Sequence, residues 1–332
     1  MYKNFDEVVA AVKQREIERT VAIAGAHDAP VVEAALRAEQ QDIAIPIFVG
    51  HGEKIKDILR SFDRNPSDYN VINSPENTEA QTAVDLVKDG SANVLMKGLI
   101  ETRDMLHPVV AKANDLRTGK LMSHVVFFSN VPNYHKLLVA TDGGMVMYPT
   151  LEEKVGIVEN AVEAMRKMGY KMPRVAVLAA IEKVNPKMRA TVEAAELKRM
   201  NREGLIQHCI VEGPLSYDVA MDKAIAHHKG VDCEYCGDFD ALILPDIDAG
   251  NILGKCLIVT AKAEMGGVIM GANLGTTFTS WLLSLTQRGR KVFLHRRGLP
   301  HGRANAINQS IQKGMHCASL FILLIYAFLN RQ

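Results

Sequence analysis

The sequence predicts an α/β protein whose strands form a largely parallel sheet. Three observations support this prediction: short apolar runs recur along the chain, amphipathic segments separate several of them, and three runs lead directly into polar or glycine-rich loops. Buried parallel strands are apolar along most of their length, and helices alternate with them in layers. A chain of 332 residues, 48% of them hydrophobic, is also long enough for two domains.

Eight apolar runs have the length and composition of buried strands. They are TVAIAGA (20–26), IPIFVG (45–50), NVLMKG (93–98), HVVFFS (124–129), KLLVATD (136–142), RVAVLAAI (174–181), ALILPDI (241–247) and GGVIMGAN (266–273). The segment 1–16 reads as an amphipathic helix and lacks the apolar core of a signal peptide.

The clearest predicted helix begins after Thr150, which forms a capping-box pattern with Glu153. Gly169 marks its end. Its apolar face is predicted to carry Val155, Val158, Val162 and Met165.

Charge is distributed unevenly along the chain. Glu264 is the last of 38 acidic residues, so the final 68 residues contain none. Residues 1–264 hold 31 Lys and Arg against those 38 acids, a net charge of −7. A mildly acidic body of this kind is typical of soluble enzymes and argues against a polyanion-binding protein.

The cysteines and the apolar run near the end of the chain indicate the cellular compartment of the protein. Five cysteines without regular spacing favour a reducing compartment, and we interpret the Cys233–Cys236 pair as structural because no second pair completes a zinc site. The run ASLFILLIYAFL (318–329) has twelve residues, fewer than the roughly 20 needed to span a bilayer. We therefore expect a cytoplasmic protein.

Three loops at predicted strand ends are candidates for chemistry, because ligands gather at the carboxyl ends of parallel strands. In the first, Lys97 and Gly98 precede a helix opened by Thr102 and Arg103, an arrangement that suits a phosphate-sized anion. An ordinary strand-to-helix turn with solvated charges is the alternative.

The other two loops carry carboxylates. Asp142 precedes two glycines and is either close to a ligand or a turn former. Asp246 and Asp248 precede a helix expected to start at Gly250–Asn251, and they suit either Mg²⁺ with substrate phosphates or helix capping. The usual nucleotide-binding glycine loops are absent from the sequence, and the histidines show no metal-ligand spacing.

The order of several sequence motifs is more specific than any one loop. It resembles the phosphate butyryltransferase and phosphate acetyltransferase family over about residues 17–273, and the words EGPLSYD and PDIDAGN are closer to the butyryl branch. The motifs are KGLIET (97–102), LRTGKLMSHV (116–125), TDGGMVMYPTLEEK (141–154), NPKMRATVEAAEL (185–197), VEGPLSYDVAMDKA (211–224) and LPDIDAGNILGKCL (244–257).

The resemblance implies a phosphate acyltransferase that moves a short-chain acyl group between coenzyme A and inorganic phosphate, with butyryl preferred and acetyl as the other choice. It also implies a two-domain α/β/α three-layer architecture like that of isocitrate and isopropylmalate dehydrogenases, with the active site in the interdomain cleft. Residues 1–129 with 271–332 would form one domain and 130–270 the inserted domain. A homodimer without metal or prosthetic group is expected, binding neither nucleic acid nor membrane.

The resemblance also suggests site residues. Ser280 and Asp246 are the catalytic candidates, and Asp246 would also help to organise its loop. The substrate-binding candidates are Lys97, Gly98, Arg117 (for the coenzyme A phosphates), Ser123, His124, Asp142 and Asn251.

The sequence departs from the family pattern after about Asn273. The family continues with a strand ending in Ser-Arg and then an acidic stretch, whereas here Trp281 follows Ser280 and no acid follows at all. We hypothesise one or more frameshifts, genuine or from sequencing, beginning between Asn273 and Arg290. The alternatives are an evolved basic tail that binds nucleic acid or membrane, and a tail that folds back normally.

Two other functions remain open from the sequence. A catalytically impaired family remnant would bind coenzyme A or acyl-CoA without turnover. A decarboxylating dehydrogenase on the related architecture would need both an acidic metal triad and a nucleotide loop, and the sequence does not show both.

Overall fold

The computed structural model describes residues 1–14 and 19–272, and these form two compact units. The four-stranded unit contains Phe5–Thr118, Gly266–Val268 and Ala272. The six-stranded unit contains Met1–Asn4, Gly119–Met265 and Ile269–Gly271. Ser280, Trp281 and the whole segment for which a frameshift is hypothesised lie outside the described residues, as does the apolar run 318–329.

The four-stranded unit is an open parallel sheet with the order β3-β2-β1-β4. Its strands are β1 (Thr20–Ala24), β2 (Ile45–Gly50), β3 (Asn70–Asn73) and β4 (Val94–Lys97). Its helices are α1 (Phe5–Lys13), α2 (Ala29–Gln40), α3 (Gly52–Ser61), α4 (Glu79–Lys88) and α5 (Thr102–Val110). Burial of Ile23, Phe48 and Leu59 shows where its core lies.

The six-stranded unit is a mixed sheet with the order β10-β5-β6-β9-β7-β8. Strand β5 is antiparallel to β6, whereas β6, β9, β7 and β8 run parallel. Its strands are β5 (Ser123–Ser129), β6 (Leu138–Thr141), β7 (Arg174–Leu178), β8 (Ile210–Leu215), β9 (Ala241–Ile243) and β10 (Glu264–Met270). Its helices are α6 (Leu151–Lys167), α7 (Arg189–Arg202), α8 (Tyr217–Met221), α9 (Lys223–His228) and α10 (Ile247–Val259).

The α/β prediction is confirmed, and each of the eight predicted apolar runs contains a strand. The capping box is also present, because the Thr150 side chain accepts from the Glu153 N–H while the Glu153 carboxylate accepts from the Thr150 N–H. Helix α6 then buries Val158, Val162 and Met165 as predicted, although Val155 is only half-buried.

Three details differ from the sequence predictions. Strands β3 and β8 were not predicted. The helix expected to start at Gly250–Asn251 begins instead at Ile247, so those two residues lie inside its first turns.

The unit boundary also differs from the predicted one after residue 129. It falls between Thr118 and Gly119, because β5 is hydrogen-bonded to β6 and therefore belongs to the six-stranded sheet. The first residues of the chain join the same unit, where the Leu137 N–H donates to the Tyr2 carbonyl. Neither described segment, 1–14 or 19–272, contains a helix long and apolar enough to cross a bilayer.

A buried ion cluster closes the amino-terminal edge of the six-stranded sheet. Lys136 Nζ lies 2.7 Å from Asp240 Oδ1 and 2.8 Å from Asp238 Oδ1, and Lys136 and Asp240 are each only 2% exposed. Asp240 Oδ2 also accepts from the Arg174 backbone N–H at 2.8 Å. The cluster joins the starts of β6, β7 and β9.

We expect Lys136→Met to lower the free energy of unfolding by about 3–5 kcal/mol, because it leaves the Asp240 carboxylate buried without its cation. Urea unfolding followed by circular dichroism measures the loss. The double variant Lys136→Met/Asp240→Asn is the matched control and should regain part of it, since the uncompensated charge is gone. A loss below about 1 kcal/mol for the single variant, the range of an exposed ion pair, would contradict this account.

Candidate functional site

Strand topology identifies one edge of each sheet where ligands are expected. In the four-stranded unit the chain runs from β1 out to β2 and β3 and then returns past β1 to β4. This reversal creates a topological switch point between the carboxyl ends of β1 and β4. In the six-stranded unit β9 returns to lie beside β6, so the carboxyl ends of β6 and β9 form the corresponding place.

At the switch point of the four-stranded unit, Gly98 allows two loops to approach closely. Its N–H donates to the Ala24 carbonyl at 2.7 Å, and the next N–H, of Leu99, donates to the Gly25 carbonyl at 2.8 Å. A Cβ on Gly98 would lie 2.4 Å from the Gly25 carbonyl oxygen, so a side chain is excluded there. The loop after β4 is therefore held directly against the loop after β1.

Lys97 is the cationic residue at this switch point. It is the last residue of β4 and is only 6% exposed. Burial lowers the pKa of Lys97, while the charge of Glu101 acts in the opposite direction. The strand thus ends at Lys97 and α5 begins at Thr102, as the sequence predicted. Arg117, in the same unit, is exposed and forms an isolated antiparallel bridge with Ala272.

The Asp142 carboxylate organises the candidate edge of the six-stranded unit. Asp142 follows β6, is 2% exposed, and accepts three backbone hydrogen bonds. Its Oδ2 accepts from the His124 N–H at 2.8 Å, and its Oδ1 accepts from Gly144 at 2.7 Å and from Met145 at 2.8 Å. Because β5 is antiparallel to β6, the start of β5 meets the end of β6 at this edge.

Helix α10 is attached to the same loop by two glycines. A Cβ on Gly143 would lie 2.6 Å from the Gly250 carbonyl carbon, and a Cβ on Gly250 would lie 2.6 Å from the Asp142 carbonyl oxygen. Asn251 Nδ2 donates to the Gly143 carbonyl at 3.3 Å. The glycines after Asp142 thus permit contact between two protein segments, and the Asp142 side chain closes the turn itself.

The carboxylates at the start of α10 have protein partners. Asp246 is its N-cap, and Asp246 Oδ1 accepts from the Ala249 N–H at 2.9 Å. The Tyr148 hydroxyl donates to Asp248 Oδ2 at 2.9 Å. Asp246 is therefore a helix cap, as one of the two sequence alternatives predicted, whereas Asp248 lies inside α10 and binds Tyr148. Within the described part of the chain, no group of three or more His, Cys, Asp or Glu side chains is placed to hold a metal ion.

Ser123 and His124, at the start of β5, are both buried. The Ser123 hydroxyl accepts from Asn160 Nδ2 at 2.8 Å, and the same amide donates to the Leu121 carbonyl at 2.9 Å. Burial lowers the pKa of His124, while the negative charge of Asp142 acts in the opposite direction. Asn160 was missed by sequence reasoning, and its only signal was a polar residue within the apolar stretch of α6.

The structure therefore divides the predicted site residues into two groups. Four of them, Ser123, His124, Asp142 and Asn251, lie together in the six-stranded unit, where Asp246 caps the helix that carries Asn251. Lys97, Gly98 and Arg117 belong to the four-stranded unit. The acidic groups and the neutral imidazole thus lie in one unit and the predicted cations in the other.

Comparisons with known proteins identify the family. The family model described as "Phosphate acetyl/butaryl transferase" matches residues 68–281. The phosphate butyryltransferase of Clostridium acetobutylicum is 39% identical over 281 residues, covering 84% of this chain and 93% of that relative. The phosphate acetyltransferase of Thermotoga maritima is 38% identical over 262 residues, covering 79% of this chain and 89% of that relative.

A solved structure agrees with these relatives. The branched-chain phosphotransacylase from Enterococcus faecalis V583 is 32% identical, with a TM-score of 0.71, and the match covers 79% of this chain and 92% of that one. The family resemblance read from the sequence motifs is confirmed. This chain belongs to the phosphate acetyl/butyryl transferase family of enzymes.

Proposed function

We propose that this chain is a phosphate acyltransferase that moves a short-chain acyl group between coenzyme A and inorganic phosphate. Family membership supports the reaction class, and one structural observation supports its location. His124, Asp142 and Asn251 are joined by hydrogen bonds through one loop at the carboxyl ends of β6 and β9, where an α/β sheet binds its ligands.

We further propose butyryl as the preferred acyl group, with acetyl as the other candidate. Relatives of both names are similar to this chain to nearly the same degree, so identity does not decide between them. The sequence motifs EGPLSYD (212–218) and PDIDAGN (245–251) support the choice of butyryl. The first lies across the end of β8 and the start of α8, and the second spans the start of α10.

The proposed reaction is a direct displacement without a covalent enzyme intermediate. A phosphate oxygen attacks the thioester carbonyl carbon, a C–O bond forms, and the C–S bond then breaks to release coenzyme A as a thiolate that takes up a proton. Positioning lowers the barrier because two substrates must meet in one geometry. Hydrogen-bond donors to the carbonyl oxygen stabilise the tetrahedral intermediate.

The roles of individual residues follow from their charge and place. We assign anion binding to Lys97, with Gly98 shaping its loop, and contact with the coenzyme A phosphates to Arg117. Asp246 is the candidate proton acceptor. The N-cap hydrogen bond from the Ala249 N–H goes to Oδ1 of Asp246, so Oδ2 is the oxygen that we assign to proton transfer. Ser280 is proposed to stabilise the leaving thiolate.

Ser123, Asp142 and Asn251 hold the edge on which the acyl group reacts. We propose that no metal or prosthetic group takes part, as the family resemblance implies, with coenzyme A and phosphate as substrates and neither nucleic acid nor membrane as a partner.

We expect Lys97→Met to weaken coenzyme A or phosphate binding by about ten- to hundredfold, the effect of losing one charge-assisted hydrogen bond of about 1.5–3 kcal/mol. Isothermal titration calorimetry measures the dissociation constants. Lys56→Met is the matched control, because Lys56 lies half-buried on α3, away from the switch point, and pairs with Glu53. Equal dissociation constants for both variants and the unmodified chain would remove Lys97 from the site.

We also propose that the sequence is frameshifted from a point between Asn273 and Arg290. The family model stops at residue 281, and the match to the Clostridium acetobutylicum relative covers more of the relative, 93%, than of this chain, 84%. The 68 residues after Glu264 contain no acid, although acids are frequent before it. This combination is expected when an out-of-frame segment follows a family domain.

The coding DNA tests this proposal first. Shifting the frame by one or two nucleotides between codons 273 and 290 should restore a Ser-Arg pair followed by acidic residues. Failure of every shifted frame to encode such a sequence would contradict the frameshift.

The restored protein then tests the function. We expect phosphate-dependent release of thiol from butyryl-CoA, and we expect the 332-residue chain to be about 10²–10³-fold slower, since it lacks a transition-state donor at position 281. Folded protein that releases no thiol in either form would contradict the proposed activity. Binding of butyryl-CoA without turnover in both forms would instead favour the impaired remnant.

Assembly and location are further proposals. We propose a homodimer, and α10 supports it because this apolar helix leaves Ile252 63% and Val259 55% exposed. We propose a cytoplasmic location, which agrees with the four cysteines of the described residues being free thiols.

A further inference from the structure

The His124 imidazole is a buried polar group without a hydrogen-bond partner in the part of the chain that the structure describes. The residue is 5% exposed, and its backbone N–H, not its ring, binds Asp142. A buried polar group left unpaired costs about 1–3 kcal/mol, so such a group in a candidate site is expected to meet a ligand.

The geometry distinguishes the two ring nitrogens. Nδ1 lies 2.7 Å from the position that a Cβ on Gly144 would occupy, so it faces the Cα–H of that glycine. A C–H group cannot accept a hydrogen bond, so an N–H at Nδ1 would face a group that offers it no acceptor. This placement favours the neutral tautomer that carries its proton on Nε2. Burial lowers the pKa of His124 although the Asp142 charge opposes this, which keeps the ring neutral at neutral pH.

The surrounding charges select the kind of atom that this Nε2–H can meet. A free phosphate oxygen is a poor candidate, because it is fully charged before the reaction begins and the Asp142 carboxylate at this edge repels that charge. The Gly144 and Met145 N–H groups are already used by Asp142 and cannot serve as donors to a ligand. A carbonyl oxygen that is neutral in the ground state and gains negative charge as the reaction proceeds suits a single neutral donor.

We propose that His124 is a catalytic residue whose Nε2–H donates a hydrogen bond to the acyl carbonyl oxygen of the thioester or acyl phosphate. This inference rests on the proposed acyl transfer. Asp142 then also positions the imidazole, because its carboxylate binds the backbone N–H groups of both His124 and Gly144. Because Gly144 has no side chain, the His124 ring can lie against its backbone.

Nitrogen NMR of the full chain carrying ¹⁵N-labelled histidine tests the tautomer and the contact without requiring turnover. His124→Gln identifies the His124 signals by their disappearance. We expect a protonated Nε2 and an unprotonated Nδ1 in the free protein, and a shift of the Nε2 signal when butyryl-CoA is added to saturation as followed by calorimetry. The opposite tautomer, or an unshifted Nε2 signal at saturation, would overturn the proposal.

Two matched variants provide the kinetic test in the active form of the protein. The side-chain amide of His124→Gln reaches the place of Nε2, whereas the shorter amide of His124→Asn reaches only the place of Nδ1. We expect kcat to fall about 10²–10³-fold for His124→Asn, with a smaller fall for His124→Gln and little change in KM for either.

The outcomes separate the two claims. Equal kcat for the two variants, or values near that of the unmodified enzyme, would overturn the role of His124 while leaving the acyl transfer intact. Unmodified protein that neither binds butyryl-CoA nor releases thiol would overturn the proposed function and this inference together.

Discussion

The three hydrogen bonds accepted by the Asp142 carboxylate hold the candidate site together. They join the first residues of β5 to the loop after β6. The same loop lies against α10 through the contact of Gly143 with Gly250. One buried side chain therefore joins His124 to the glycine loop, and that loop in turn accepts a hydrogen bond from Asn251 of α10.

This arrangement depends on strand direction. A wholly parallel sheet would place the first residue of every strand at the edge away from the ligand. Because β5 runs antiparallel to β6, Ser123 and His124 reach the edge where β6 and β9 end. The opposite edge is closed by the ion cluster around Lys136 and Asp240. Charges that stabilise the fold and groups assigned to chemistry are thus kept at opposite ends of one sheet.

Local patterns predicted much of this structure from the sequence. Apolar runs identified eight strands, and the capping box at Thr150 identified the start of α6, since both depend on neighbouring residues. Strand β3 was missed because NVIN is short, begins and ends in a polar residue and is only half-buried. Strand β8 was missed because IVEGPL is interrupted by a charge, a glycine and a proline, which weaken the strand pattern.

The sequence predicted which residues belong to the candidate site, but it did not predict the hydrogen bonds between them. Family motifs pointed to Asp142 and His124, but no local pattern shows that the carboxylate binds the backbone of a residue 18 positions earlier. The contact of Asn160 with Ser123 spans 37 positions and depends on how α6 packs on the sheet. Such contacts are fixed by tertiary structure, as is the placement of Nδ1 of His124 over Gly144.

Hydrogen–deuterium exchange of Asp142→Asn measures whether the carboxylate holds these backbone segments together. The substituted amide keeps one oxygen but turns an NH₂ group toward at least one of the N–H donors that the carboxylate binds. We expect faster exchange of the His124, Gly144 and Met145 amides, with exchange in the core of β9 unchanged. Unaltered exchange at all three amides would show that the Asp142 carboxylate does not hold this edge together.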